Sequence, residues 1–214
     1  EVAIPMTLQG SLLARLDPLG RSKELAQVAS VLGRRFREDL LRTIAAMPDT
    51  TLATELERLE EAGVLRRVGS GGRSELEFRH ALLQEAAYDS LLKAARRRLH
   101  QTVAGALERA PDGSSSAPPE VLGHHWSRAG APDKAVPYLA RAARRAADAW
   151  ANAEAVTFCR QALAEIRTLR SGPAGDSADW RRAEGELRER MGDLLALMDQ
   201  RDEAEAAYRE AIAL

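Results

Sequence analysis

A single cysteine, Cys159, stands among the 214 residues. One thiol cannot form an internal disulfide, and it lacks the paired spacing of a thiolate zinc site. Aromatic residues are only 4% of the chain. Charge of one sign is also missing: 31 Lys and Arg face 32 Asp and Glu, a net charge of −1. No global field therefore draws the chain to nucleic acid or an anionic membrane, although local patches remain open. No run of about 18 apolar residues and no signal peptide is present, so no membrane association is expected and a cytoplasmic location is. The phosphate-loop pattern GxxxxGK[ST], HExxH and GxSxG are all absent. Nothing in the chain points to an enzyme.

Alanine, leucine, arginine and glutamate dominate instead. With 45% hydrophobic residues and so few aromatics, the composition is that of packed helices. Residues 6–17 have helical apolar spacing, stopped by Pro18 and Gly20. A second helix is expected over 22–32, with Ser22 as N-cap and Gly33 just past its end. A third covers 37–47 and is closed by Pro48. Asp49 or Thr50 would cap a fourth, 50–62, whose Leu52, Leu56 and Leu59 line one face and which ends at Gly63. Residues 64–68 and 76–78 read as two strands joined by a "GSGG" loop at 69–72. From His80 to about Arg109 the pattern is helical again, as two helices or one bent one. Three helices, a hairpin and a helix are the order of a winged helix.

"APDGSSSAPP", 110–119, has nothing to build a core and reads as a linker. It separates a helical and winged-helix-like domain, 1–109, from residues 120–214, where the chain repeats itself. Leu122, Gly123, Trp126, Ala135, Leu139 and Ala142 have the spacing of a tetratricopeptide repeat. Ala155 and Ala162 take small-residue slots in the second half of another, and the helix around 133–149 serves both. Met191, Gly192, Leu195, Ala204, Tyr208 and Ala211 form a third, after a loop at 171–179. Gly and Ala belong where two antiparallel helices approach closely, and the large residues fill the space around them. The expected fold is mainly α: a winged-helix-like domain with one β-hairpin, followed by an α-solenoid of helical hairpins. The repeat pattern stops mid-helix at Leu214 and the sequence begins at Glu1, so the chain reads as a fragment of a longer protein. An exposed solenoid end would favour self-association.

Candidate chemistry is sparse. "GSGGRS", 69–74, lies between two strands, whereas a phosphate cradle needs a helix N-terminus after it. His124 and His125 are adjacent on a helix, about 100° apart, and cannot chelate one ion from the same face. One exposed and one packed beside Trp126 is the better reading. Cys159 lies on an apolar helical stripe and reads as a small buried hydrophobe. The carboxylates of "ELERLEE" and "DEAEAAYRE" fall on solvated helix faces among arginines. In a winged helix the helix before the hairpin enters the major groove. Here Glu55, Glu57, Glu60 and Glu61 oppose a single Arg58 on it, so direct DNA binding is disfavoured despite Arg66, Arg67 and Arg73 on the hairpin. "KAARRR", 93–98, is a basic cluster that should face more than one way around its helix.

Residues 4–36, "FRHALLQEAAYDSLLKAARRRLHQTVAGALE" at 78–108, and "LGHHWSRAGAPDKAVPYLARAARRA" resemble the region after the ATPase core in STAND-type signal-transduction ATPases. The resemblance is strongest to bacterial proteins in which a class III adenylate or guanylate cyclase domain precedes a predicted ATPase and tetratricopeptide repeats. It implies a winged helix that packs on an ATP- or ADP-binding core and helps hold its resting state. It further implies that a histidine near the start of a winged-helix helix contacts the β-phosphate. His80 matches that place, with Arg79 before it and Ala81 after it, where immune receptors have Met-His-Asp. The N-terminus of a helix favours anions, and imidazole can donate to a phosphate oxygen. The implied role is non-catalytic: a regulatory and protein-interaction region, controlling a cyclase. Its expected partners are the intramolecular ATPase core and a protein or peptide held by the repeats. No cofactor is expected in these residues themselves; ATP or ADP would bind elsewhere in the parent. The alternative is the same region of a transcriptional regulator whose DNA-binding domain lies elsewhere.

Overall fold

The computed structural model describes residues 16–68, 74–109, 117–172 and 177–214. It is mainly helical and divides into two compact units, Glu1–Ala106 and Leu107–Leu214. The expected helix at 6–17 falls largely outside the described residues. So do the loop at 69–72 and most of the expected linker.

In the first unit Leu16 is fully buried and a 3-10 turn, Asp17–Leu19, leads into α1 (Arg21–Leu32). Then come β1 (Arg35–Arg37), α2 (Glu38–Ala45), α3 (Asp49–Glu61), β2 (Leu65–Val68) and β3 (Glu75–Phe78). The unit continues in α4 (Ala81–Asp89) and in α5 (Lys93–Glu108) as far as Ala106, so that Leu107 and Glu108 belong to the second unit. The sequence led us to expect two strands, but the sheet has three, in the order β1-β3-β2, all antiparallel. Phe36 pairs with Leu76 on one side of β3, and Leu65 with Phe78 on the other. Strand alternation turns Leu76 and Phe78 inward and Glu75 and Glu77 outward. Burying Leu76 or Phe78 contributes roughly 1.5–3 kcal/mol each. Beneath the sheet, Leu25 and Ala29 of α1, Leu41 of α2 and Leu52, Leu56 and Leu59 of α3 are fully buried.

Two expected caps are corrected. Ser22 is not an N-cap: Gly20 takes that position, and Ser22 is buried inside α1 with its hydroxyl donating to the Glu55 carboxylate of α3. Pro48, not Asp49 or Thr50, precedes α3. Asp49 is its first residue, where a carboxylate favours the positive end of the helix dipole. Glu55 is 4% exposed and also accepts from Arg58 at 3.1 Å.

The second unit runs α6 (Pro119–Ala129), α7 (Pro132–Asp148), α8 (Asn152–Arg170), α9 (Ala178–Leu197) and α10 (Arg201–Ile212). Consecutive helices pack on each other, so α7 serves both α6 and α8. The expected linker ends early: Ala117 is buried and Pro119 already opens a helix.

Three turns of this unit share one geometry. Gly130, Trp150 and Asp199 have φ of 72°, 61° and 57°. Their amides donate to the carbonyls of Ser127, Ala147 and Ala196 at 3.0, 2.9 and 3.1 Å. The next amides, of Ala131, Ala151 and Gln200, donate to Trp126, Ala146 and Leu195 at 3.1, 2.9 and 2.9 Å. This is the Schellman closure, used three times. Seven residues before each positive-φ residue stands a small buried one: Gly123, Ala143 or Gly192. Nine residues after it stands Leu139, Cys159 or Tyr208, and five after it a buried Ala135, Ala155 or Ala204. A Cβ on Gly123 would meet Leu139 Cδ2 at 2.8 Å, and one on Gly192 would meet Tyr208 Cε1 at 2.6 Å. Only glycine allows those two helix pairs to come so close.

Candidate functional site

The β3–α4 corner is held on both sides by backbone bonds. The Phe78 amide donates to the Arg34 carbonyl at 2.9 Å, and the Arg79 amide to the Val64 carbonyl at 3.0 Å. His80 then sits at the N-cap of α4 in extended conformation, φ −131° and ψ 134°, and its carbonyl accepts from the Leu83 amide at 3.0 Å. Its imidazole makes no capping bond, and the first turn of α4 carries no acidic residue. The side chains of Arg79 and His80 are both exposed. The corner thus presents a cation, an imidazole and the positive end of a helix, the groups that would greet an anion.

The sheet face near this corner is charged but largely self-neutralised. Glu77 accepts from Arg66 at 2.7 Å and lies 3.4 Å from Arg34; Glu75 accepts from Arg35 at 2.7 Å. The Arg66 hydrogen bond above all holds the Glu77 carboxyl below its ordinary pKa, against the opposing effect of desolvation. Glu38, which opens α2, ties the sheet together. It accepts from Ser74 Oγ at 2.7 Å and Arg67 at 2.6 Å, and pairs with Arg42 at 3.2 Å. Burial raises its pKa, but Ser74 and the two arginines outweigh that and leave it lowered.

His100 of α5 is 1% exposed. Its Nε2 lies 3.0 Å from the Tyr88 hydroxyl, and the two rings meet edge to face. In the second unit, His124 is exposed and His125 buried, the rings 5.4 Å apart. Burial first, and the neighbouring His124 second, push His125 down to about 4. Burial and Arg128 lower His124 as well. Cys159 is fully buried, and that burial raises its thiol to about 11. Among the described residues no group of three or more His, Cys, Asp or Glu could hold a metal ion. None of the described helices is long and apolar enough to cross a membrane.

Sequence reasoning missed a polar clamp. One oxygen of Glu108 accepts from both Trp126 Nε1 and Tyr138 Oη, each at 2.8 Å, joining α6 and α7 at one carboxylate. Lys134 stacks on the Trp126 ring at 4.1 Å. A glutamate closing a preceding helix has no local signal for such a role. Across the last three helices the buried Glu184 of α9 accepts from Arg170 of α8 and Arg188, and Arg188 reaches Glu210 of α10 at 2.8 Å.

Compared with known proteins, the chain is 34% identical over 153 residues, 70% of its length, to an uncharacterized protein of Rhizobium meliloti (strain 1021). That stretch spans 15% of the relative's own length. No family model and no solved structure matches the chain.

Proposed function

We propose that the chain is a non-catalytic regulatory and protein-interaction region of a multidomain STAND-type ATPase, one that controls an adenylate or guanylate cyclase. The first unit is read as a winged helix and the second as tetratricopeptide repeats. The observation that carries the reading is the threefold register of the second unit. The same Schellman turn recurs with a small buried residue, Gly or Ala, seven positions before it and a buried alanine five after it. Stacked helical hairpins of this kind leave extended faces on which a protein or peptide is held. For the first unit, support comes from three helices, a strand hairpin and a helix beginning at Ala81, with His80 as its N-cap. That the similar segment is a small share of its relative suits a region cut from a long multidomain protein.

In this reading His80 and Arg79 act only when a nucleotide-binding core brings a phosphate to the α4 N-terminus. ADP held there would keep the parent at rest, and its release would free the effector domain. Acidic α3 and the paired hairpin arginines support a structural rather than DNA-reading wing.

The deciding measurement is made on the full-length parent protein. His80→Ala should speed ADP release and raise basal effector output, while Arg79→Gln has a smaller effect of the same sign. ADP release unchanged in both variants would remove the sensor role. Binding of ATP or ADP at micromolar concentration by residues 1–214 alone would overturn the non-catalytic reading.

A further inference from the structure

Helix α5 turns one stripe to solvent: residues 93, 94, 97, 98, 101 and 102 are exposed, while His100, Val103 and Ala104 are buried. The cluster faces two ways, as expected: Lys93, Arg97 and Arg98 all stand on that stripe. Arg96 alone turns away. It lies 4.6 Å from the Tyr88 ring and donates to the carbonyls of Leu91 at 3.0 Å and Asp89 at 2.7 Å. No ion pair reaches Lys93, Arg97 or Arg98 among the described residues. By contrast Arg34, Arg35, Arg42, Arg66 and Arg67 of the same unit all meet carboxylates.

The stability of α5 does not account for this arrangement. Four cations, Lys93, Arg96, Arg97 and Arg98, occupy its first two turns, where the helix dipole is already positive, and no acidic residue lies in the first turn. Leu92, directly before the helix, is 79% exposed. An apolar side chain thus borders a basic stripe that carries no aromatic ring on which a nucleic-acid base could stack.

We propose that this stripe binds an acidic helical segment of another protein, one with an apolar residue beside its carboxylates. Lys93 and Arg97 are one turn apart and meet carboxylates at the same i, i+4 spacing, about 6 Å along the partner helix. Arg98 takes a third carboxylate, and Leu92 packs on the partner's apolar residue. The site is in a different unit from the repeats and stands whether or not the reading above does.

The test uses the whole 214-residue chain and two labelled helical peptides. One carries glutamates at i, i+4 and i+5 with a leucine one turn before; the other has glutamines in their place. Fluorescence anisotropy should show the glutamate peptide binding about tenfold or more tighter, with the preference shrinking as salt rises. The triple variant Lys93→Gln, Arg97→Gln, Arg98→Gln should abolish that preference with its helical circular dichroism intact. Leu92→Ala should weaken binding at low and high salt alike, and Arg21→Gln should leave it unchanged. Equal binding of the two peptides, an unaltered triple variant, or equally effective competition by a short DNA duplex each overturns the proposal.

Discussion

Gly192 of α9 and Tyr208 of α10 are in such close register that a methyl group on the glycine would stand 2.6 Å from Cε1 of the ring. The ring is not free to retreat, because its hydroxyl donates to Asp193 Oδ1 at 2.7 Å. Gly123 and Leu139 repeat the relationship, with the Leu139 amide nitrogen itself 3.3 Å from the missing methyl. Gly192→Ala and Gly123→Ala should each destabilise the second unit. Overpacking at about 1–3 kcal/mol outweighs the roughly 1 kcal/mol that alanine gains over glycine within a helix. Thermal unfolding followed by circular dichroism checks this, and a raised Tm in either variant contradicts it.

Trp150 occupies a left-handed conformation that a bulky side chain rarely adopts, and it is 83% exposed. Trp150→Gly should therefore stabilise the chain by about 1–2 kcal/mol. Asp199→Gly should gain less, because a short polar side chain tolerates that region better. Gly130→Ala, at the equivalent turn, should do the reverse. Chemical denaturation midpoints would show the ordering, and a loss of stability in Trp150→Gly would give the ring a packing role instead.

Ser22 and Glu55 test how much one buried hydroxyl matters. Ser22→Ala leaves the carboxylate with Arg58 as its side-chain partner among the described residues and should cost about 1–3 kcal/mol. Replacing both residues, as Ser22→Ala with Glu55→Met, should recover part of that loss, because no buried charge is left short of partners. A double-mutant cycle on urea unfolding gives the coupling, and additive effects would deny it.

His125 makes the stability of the second unit depend on pH. Its native pKa, lowered to about 4, lies below the ordinary value of 6.5, so between those values the unfolded chain binds more protons. The contribution is complete above about pH 6.5, falls as the pH drops, and is gone below about pH 4. His124 is lowered too and adds in the same direction. His125→Phe should flatten the acid limb of the stability profile across that window. An unchanged slope would show that the imidazole is not buried neutral.

Cys159 should be inert. With its thiol raised to about 11 and its side chain fully buried, almost no thiolate exists at neutral pH. Ellman's reagent should react with it only after denaturant is added. Rapid reaction in the native protein would place the thiol at the surface.

Much of the second unit was legible because its signals are local and repeated. Gly123, Gly192 and the alanines at 135, 155 and 204 follow one spacing, and each helix is long enough to display its period. Most of the first unit's helices were readable in the same way. β1 was not. Arg35–Arg37 is three residues long with one apolar side chain, and its partners Glu75–Glu77 lie forty residues away. Trp150 gave no turn signal, because its conformation is one its own chemistry disfavours. At the candidate site, the placement of His80 at the start of a helix could be read from the strand before it. That Lys93, Arg97 and Arg98 share a face while Arg96 folds onto Tyr88 could not.

By itself, then, the sequence determined the helical class, the spacing of small residues within each helix pair and the close helix approaches, since each depends on residues within a few turns of one another. The tertiary structure alone decided which polar groups meet and which of them are buried: Ser22 on Glu55 and Glu184 between Arg170 and Arg188 inside, and Glu108 on Trp126 and Tyr138 at the surface. A hydroxyl or carboxylate is stable in the interior only with a partner in hydrogen-bonding geometry. Here those partners come from as far as 33 residues away, a distance over which periodicity carries no information.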